Sequence, residues 1–291
     1  MTVESFIPVL WSAKFAEILD KVHRYANCAN RDWEGEIKGK GSSVRIQTIG
    51  DLTVSDYTRN QNITAAETLN LADQALVIDQ AKLVHFFLDS VDKAQALDGG
   101  SLMSKAMERS AYAIKDVVDI YVATLFNTAV DGTANDVTNG TPLTVGTGAS
   151  EIDAYGLLVE LGVKLDNANV PKEGRKAVVP PFFEGMLRLD PNFVGFGTSP
   201  NMASLKGEPI GRAAGFEVLT SNNCPAGASS SKVALAVWDG ASTFAEQLTE
   251  MQAYKPELRF GDAVKSLHVY GGKVTHPAGI AAAEVLQGAF R

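Results

Sequence analysis

The side chains of this chain that could do chemistry are four histidines, two cysteines, one glycine-rich stretch and a few closely spaced carboxylates. A metal site needs three or four His, Cys, Asp or Glu donors that converge on one point. Of His23, His85, His268 and His276, only the last two are close in sequence. If Gly271-Gly272 makes a two-residue hairpin turn, position 268 pairs with 275 and His276 falls on the opposite face. If one strand runs straight through, the two rings stand roughly 26 Å apart. Neither geometry closes a site. Cys28 and Cys224 lack a CxxC or Cys-His companion, so the pattern indicates neither a disulfide framework nor zinc, and a reducing compartment fits.

The stretch GEIKGKGSS, residues 35–43, has the glycines of a phosphate loop without the GxxxxGK[ST] spacing, and a strand pattern follows where a helix N-terminus would be needed. It reads better as a flexible hinge. Asp116 with Asp119, and Asp89 with Asp92, sit at helical spacing among other charges, which describes solvated faces rather than an acid–base pair. GxSxG, HExxH, DxDxDG and a GxGxxG after a strand are all missing from the sequence. No catalytic residue, cofactor or metal is expected.

Composition narrows the class further. With 291 residues, 45% hydrophobic and 21% charged, the chain can bury a substantial core in one large or two modest domains. A formal net charge of -8 argues against gripping nucleic acid through its phosphates, which needs clustered Lys and Arg. The opening MTVESFIPVLWSAKF has Glu4 where an export signal carries a cation, and no window approaches the roughly 18 apolar residues of a membrane span. The expectation is a soluble, intracellular, non-enzymatic chain.

The elements that would position these residues are uneven. Trp11, Phe15, Ile18, Val22 and Tyr25 recur at helical spacing and give an amphipathic helix one sticky face. Val44, Ile46 and Thr48 then alternate with Arg45, Gln47 and Ile49 as in a strand, and a return strand is expected over Leu69–Ile78. At strand rise the positions from Val44 to Thr58 reach roughly 50 Å, and a two-stranded arm of that length is marginal alone. From there to Leu97 helix and strand patterns compete.

Residues 101–132 read as one helix, capped by Ser101, with a stripe of Leu102, Ala106, Ala113, Val117, Ile120 or Tyr121, and Leu125. Its length of roughly 40 Å is far beyond the usual eleven or twelve residues, and the loose stripe lacks the strict heptads of a coiled coil. A rod laid across a sheet is the expectation. Residues 132–150 form a Gly/Thr/Asn connection and the likeliest domain boundary. Ser150 with Asp153 resembles a capping box opening the next helix, followed by a buried strand, a Pro-Pro break and another helix. GFEVLTS and KVALAVWDG read as strands, STFAEQLTEMQAY alternates, and DAVKSLHVYGGKVTHPAGIAAAEVL reads as one long final β element.

The segments VPKEGRKAVVPPFFEGMLRLDPNF (170–193), GEPIGRAAGFEVLTSNN (207–223) and LRFGDAVKSLHVYGGKVTHPAGI (258–280), taken with the order of elements, make the chain resemble major capsid proteins of tailed double-stranded DNA bacteriophages, the Hong Kong-ninety-seven-type fold. The resemblance implies an α+β capsid fold with an N-terminal arm (1–35), an extended β-hairpin loop (36–90), a peripheral domain with a long spine helix (91–149), an α/β axial domain (150–240) and returning peripheral strands (241–291). It implies a homo-oligomer of pentamers and hexamers in an icosahedral shell around double-stranded DNA, bound without sequence specificity and without a membrane. It also implies a separate scaffolding protein, a portal, an optional decoration protein, and assembly in the host cytoplasm before residence in the virion. Arg45, Asp51, Asp56 and Arg59 on the loop, and Trp11 and Phe15 on the arm, are the candidate subunit-interface residues. Lys38 and Lys40 have no identifiable acceptor for a cross-link. An encapsulin-type compartment shell, or an α/β enzyme, is the alternative.

Overall fold

The computed structural model describes residues 24–32, 41, 43–49, 54, 56, 59, 71–90, 101–130, 134–148, 151–190 and 211–288. Three sheets and three helices organise them. The strands are β1 (Ser43–Ile49), β2 (Leu71–Val77), β3 (Gln80–Asp89), β4 (Leu143–Val145), β5 (Arg175–Val179), β6 (Arg212–Ala213), β7 (Phe216–Thr220), β8 (Lys232–Trp238), β9 (Ser242–Tyr254), β10 (Gly261–Val274) and β11 (Ile280–Gln287). The helices are α1 (Ser101–Val130), α2 (Ala154–Asn167) and α3 (Pro181–Leu189). β1 and β2 form a ribbon, β3-β10-β9 a three-stranded sheet, and β4-β11-β8-β5-β7-β6 a six-stranded sheet.

The six-stranded sheet is buried on both faces, and its strands show it. On β8, Val233, Leu235 and Val237 point into one core with α1, while Ala234 and Ala236 point into another with α2 and α3. Period-two alternation therefore sorts side chains between two apolar cores instead of between core and water. The α2 helix starts at Asp153, whose carboxylate accepts the Gly156 N–H at 3.0 Å. The cap is thus Asp153 itself, three residues later than a box opened by Ser150 would place it; Ser150 lies outside the described residues. Asn169 closes the helix at φ 57, with Asn169 N–H donating to Asp166 O and Val170 N–H to Leu165 O. That pair of bonds is a Schellman end with Asn at its left-handed position.

The long rod is present, but it turns a different face inward than the expected stripe. Met107, Ala111, Ile114, Val118, Val122, Phe126 and Val130 are buried, whereas Val117 and Ile120 are 42% and 51% exposed and Ala113 is exposed. Leu102 has no described side-chain environment. The rod carries apolar residues on more than one arc, and the arc with Ile114, Val118 and Phe126 meets β8, β10 and β11.

Two other expectations resolve. The ambiguous region after Ile78 is strand β3 at 80–89, paired antiparallel with β10. The single closing β element is two strands in different sheets: β10 pairs with β3 and β9, the chain turns at Pro277–Gly279, and β11 pairs with β8 and β4. Pro277 removes a donor and a turn intervenes, so no single ladder spans the stretch. By hydrogen bonding, β4 and β11 belong with the strands of residues 175–238.

Candidate subunit interface

The ribbon leaves the body at a tightly fitted base. β1 and β2 pair from Ser43↔Val77 to Ile49↔Leu71, as the alternation of Val44 and Ile46 requires. Val44, Leu76 and Ile78 are buried against Ala245 and Val269, with Ile46 packed alongside. The opposite face of the same strands, Arg45, Ala75 and Val77, is exposed. Further out, Val54 is 96% exposed, and Asp56 and Arg59 are exposed. Gly41, at φ +88, donates its N–H to Ile78 O and turns the chain into β1, so one glycine of the stretch at 35–43 does serve a sharp turn at the ribbon base.

The Gly271-Gly272 pair explains how the ribbon sits so close. β10 runs straight through it. A Cβ on Gly271 would collide with the Val77 carbonyl oxygen and stand 2.9 Å from Ile78 Cα, while one on Gly272 would meet Leu125 Cδ2 at 2.9 Å. Successive strand residues face opposite sides, so one glycine admits the ribbon and the other admits α1.

Residues 24–31 form a strap that ties the rod to both sheets. The Arg24 N–H lies 3.3 and 3.1 Å from the two carboxylate oxygens of Asp119. Tyr25, fully buried, donates its hydroxyl to Cys224 Sγ at 3.2 Å. Asn30 exchanges backbone bonds with Ser242 and Phe244 beside β9. Lys176 Nζ donates to Asn27 O and pairs with Asp239, both at 2.8 Å. Arg31 pairs with Glu246, whose other oxygen is 3.2 Å from His268 Nε2 in an environment where His268 is 2% exposed.

Asp119 is therefore no solvated carboxylate, as its spacing suggested: it is 0% exposed and holds the strap. Asp116 accepts from Asn223 Nδ2 at 3.2 Å. The Arg31–Glu246–His268 set went unread in the sequence because its members are far apart along the chain. One signal was available: alternation in STFAEQ puts Glu246 on the same side as Phe244.

The chemistry of these groups is quiet. Burial pushes the Cys28 thiol up to about 12 and Cys224 to about 11, so neither is a nucleophile near neutrality. Burial and the neighbouring Cys224 raise Tyr25 as well. His276 is exposed beside Trp238, with ring centroids 6.5 Å apart, and β10 keeps it away from His268. His85 meets Tyr254 Oη at 2.9 Å on the surface. His23 lies outside the described residues. Among the described residues no group of three His, Cys, Asp or Glu could hold a metal.

Two surface clefts are formed by described residues. One, of about 390 Å³, is lined by α1 residues Ile120, Ala123, Thr124 and Asn127 and by the loop Asn222–Ala226 with Lys232. The other, of about 380 Å³, lies beneath the strap at Asn30, Arg31, Lys176 and Asp239. Neither gathers a nucleophile, a base and an orienting group. Of the expected interface residues, Arg45 is on the exposed face of β1, Asp56 and Arg59 are exposed in the stretch between β1 and β2, and Asp51, Trp11 and Phe15 lie outside the described residues. Leu258 and Phe260, 97% and 90% exposed at the β9–β10 tip, are apolar surface that sequence reading passed over.

A model of the phage capsid protein family matches residues 78–283. Among solved structures, a chain from Mycobacterium phage Che8 is similar at 27% identity and a TM-score of 0.68, covering 90% of this chain and 91% of that one. The capsid of cyanophage P-SCSP1u gives 0.65 at 18% identity over 87% and 85% of the two chains. A virus-like particle from Pyrococcus furiosus gives 0.54 at 9% identity over 94% and 96%, a likeness of fold alone. No curated protein matches.

Proposed function

We propose, from the premise that this chain belongs to the phage capsid protein family, how its geometry serves a coat subunit. As in its family, the role is structural and its place is the virion capsid, in a shell built from repeated copies. The observation that carries the finer reading is the ribbon: its base is seated on the chain's own β9 and β10, its other face at Arg45, Ala75 and Val77 is exposed, and Val54, Asp56 and Arg59 between its two strands are exposed too. An isolated two-stranded ribbon is marginal in water, so a neighbouring copy that covers it stabilises it and couples its order to assembly. Contacts of this head-to-tail kind close into rings when the rotation closes, here pentamers and hexamers of an icosahedral shell.

In this reading, residues 36–90 are the extended loop, α1 is the spine of the peripheral domain, and residues 150–240 form the axial module, to which β4 and β11 add their hydrogen bonds. Arg45, Asp51, Asp56 and Arg59 make polar contacts across the seam. Trp11 and Phe15, which lie outside the described residues, are the apolar members of the same subunit interface. The shell encloses double-stranded DNA without reading its sequence, and the net charge of -8 keeps packaged DNA from sticking. Scaffolding, portal and decoration proteins act in trans, assembly takes place in the host cytoplasm, and the subunit carries out no catalysis.

Electron microscopy of the purified protein tests the assignment. Closed particles containing nucleic acid are expected; particles filled with a cargo protein point to a compartment shell, and a monomer at high concentration overturns the proposal. Charge reversal of Arg59, an exposed residue between β1 and β2, is expected to cut particle yield at least tenfold with an unchanged circular dichroism spectrum. Unchanged yield removes it from the seam.

A further inference from the structure

The sequence holds one Asn-Gly pair, Asn139-Gly140, and the fold places both residues in an exposed turn. Residues 135–138 run beside β11, with Val137 N–H donating to Ala282 O and Ala282 N–H to Asn135 O, and β4 takes up the same edge from Leu143. Between these two stretches Thr141 N–H donates to Thr138 O at 2.9 Å and closes a four-residue turn. Its central residues, Asn139 at φ 46 and Gly140 at φ 75, are both left-handed, as a type I′ turn requires.

An asparagine followed by glycine can react with its own backbone. Once the Gly140 amide proton has left, the nitrogen can attack Asn139 Cγ, so that a C–N bond forms and the side-chain nitrogen departs as ammonia. The product is a five-membered imide, and water opens either of its carbonyls to give aspartate or isoaspartate with no change of oxidation state. Glycine hinders this attack least, because it has no Cβ. A Cβ at Gly140 would meet nothing within 4 Å, so the site is open to water. Two conditions remain: the proton must leave, and the nitrogen must swing onto Cγ.

The fold opposes both. Gly140 N–H donates to Asp136 Oδ2 at 3.2 Å, while Asp136 Oδ1 accepts from Thr138 N–H at 3.0 Å and from Thr138 Oγ1 at 2.8 Å. A carboxylate that accepts the amide hydrogen favours the protonated nitrogen and repels an anion forming there. Thr138 is buried, and Glu284 N–H donates to its Oγ1 at 3.2 Å, which anchors the Asp136 carboxylate to β11. The closed turn restrains the backbone rotation that would carry the Gly140 nitrogen to Cγ.

We propose that Asn139 is a latent deamidation site, held shut in the folded chain because Asp136 retains the Gly140 amide proton that must leave. Opening it places a new carboxylate at position 139, close to Asp136, and the isoaspartate form lengthens the main chain by one carbon inside the turn.

Tandem mass spectrometry of full-length protein aged at mildly alkaline pH tests this, by following the conversion of amide to acid at residue 139. The folded parent is expected to react at least tenfold more slowly than the same protein in urea. Asp136→Ala is expected to react at least fivefold faster than the folded parent, with an unchanged circular dichroism spectrum. Asp136→Asn, which loses the charge and one acceptor, is expected to fall between them. A parent as fast folded as in urea overturns the proposal, and so does either folded variant reacting no faster than the parent. Hydrogen exchange of the parent reads the same proton without any substitution. The Gly140 amide is expected to exchange at least tenfold more slowly in folded protein than in urea, and equal rates overturn the proposal even if both variants fail to fold.

Discussion

β1 and β8 are both seven-residue strands, yet they stand in opposite physical situations. β8 has a strand on each side and an apolar core above and below, so Val233 through Val237 are all buried. β1 has one partner strand and a single covered face, which holds Val44 but leaves Arg45 exposed. The first is enclosed on every side by its own chain; the second is covered on one face only. The family match begins at Ile78, just past the last residue of the ribbon, and so includes the self-sufficient region alone.

The most severe way to probe that difference is to replace residues 47–73 with a short Gly-Ser turn, keeping Val44, Leu76 and Ile78 in their base cluster. Particles are expected to disappear from sedimentation profiles while the circular dichroism spectrum of the body persists. If the body unfolds as well, the two regions are not separable.

Core truncation gives the next largest effect. Leu235→Ala, at a residue with 0% exposure between α1 and the sheet, is expected to cost about 3 kcal/mol in denaturant unfolding, whereas Val44→Ala at the ribbon base costs about 1 kcal/mol. Equal costs would erase the contrast.

The strap sits between these extremes. Glu246→Gln removes the charge shared by Arg31 and by buried His268 and is expected to cost about 2 kcal/mol, discounted because the Arg31 side chain is 27% exposed. Asp119→Asn leaves the Arg24 N–H with a weaker acceptor and is expected to cost about 1 kcal/mol.

The smallest effect is a pH dependence confined to the body. Burial raises Cys28 from its ordinary 9.0 to about 12. A raised folded value favours the protonated thiol, so its contribution is complete below about pH 9 and is lost as pH climbs toward 12. Folded protein at pH 8 is expected to leave both thiols unlabelled by a thiol reagent, with labelling only on unfolding. Rapid labelling of the native protein would place Cys28 outside the core.

Much of this architecture was legible because it is local. The rod expected at 101–132 and observed over Ser101–Val130, the alternation from Val44, the return strand expected over 69–78 and observed as Leu71–Val77, and the Pro-Pro break before α3 all rest on spacing within one segment. The failures involve choices between segments. The stripe through Ala113 and Val117 and the stripe through Ile114 and Val118 are both apolar, and packing against β8, β10 and β11 selects the second. Residues 80–89 had no local preference until β10 paired with them. Arg45 alternates with the buried Val44 in β1, and period two puts it on the exposed side. Asp119, Glu246 and His268 could not be read, since each owes its role to a partner distant in sequence.

By itself the sequence determined which segments are rods and strands and where glycine and proline interrupt them, because backbone sterics and side-chain periodicity act within a few residues. Only the tertiary structure decided which arc of α1 is buried, that Gly271 and Gly272 admit neighbours on opposite sides of one strand, and that β10 and β11 part into different sheets. Those outcomes depend on close packing between chain segments far apart in sequence, where the shape available on one partner determines which of several apolar surfaces the other can use.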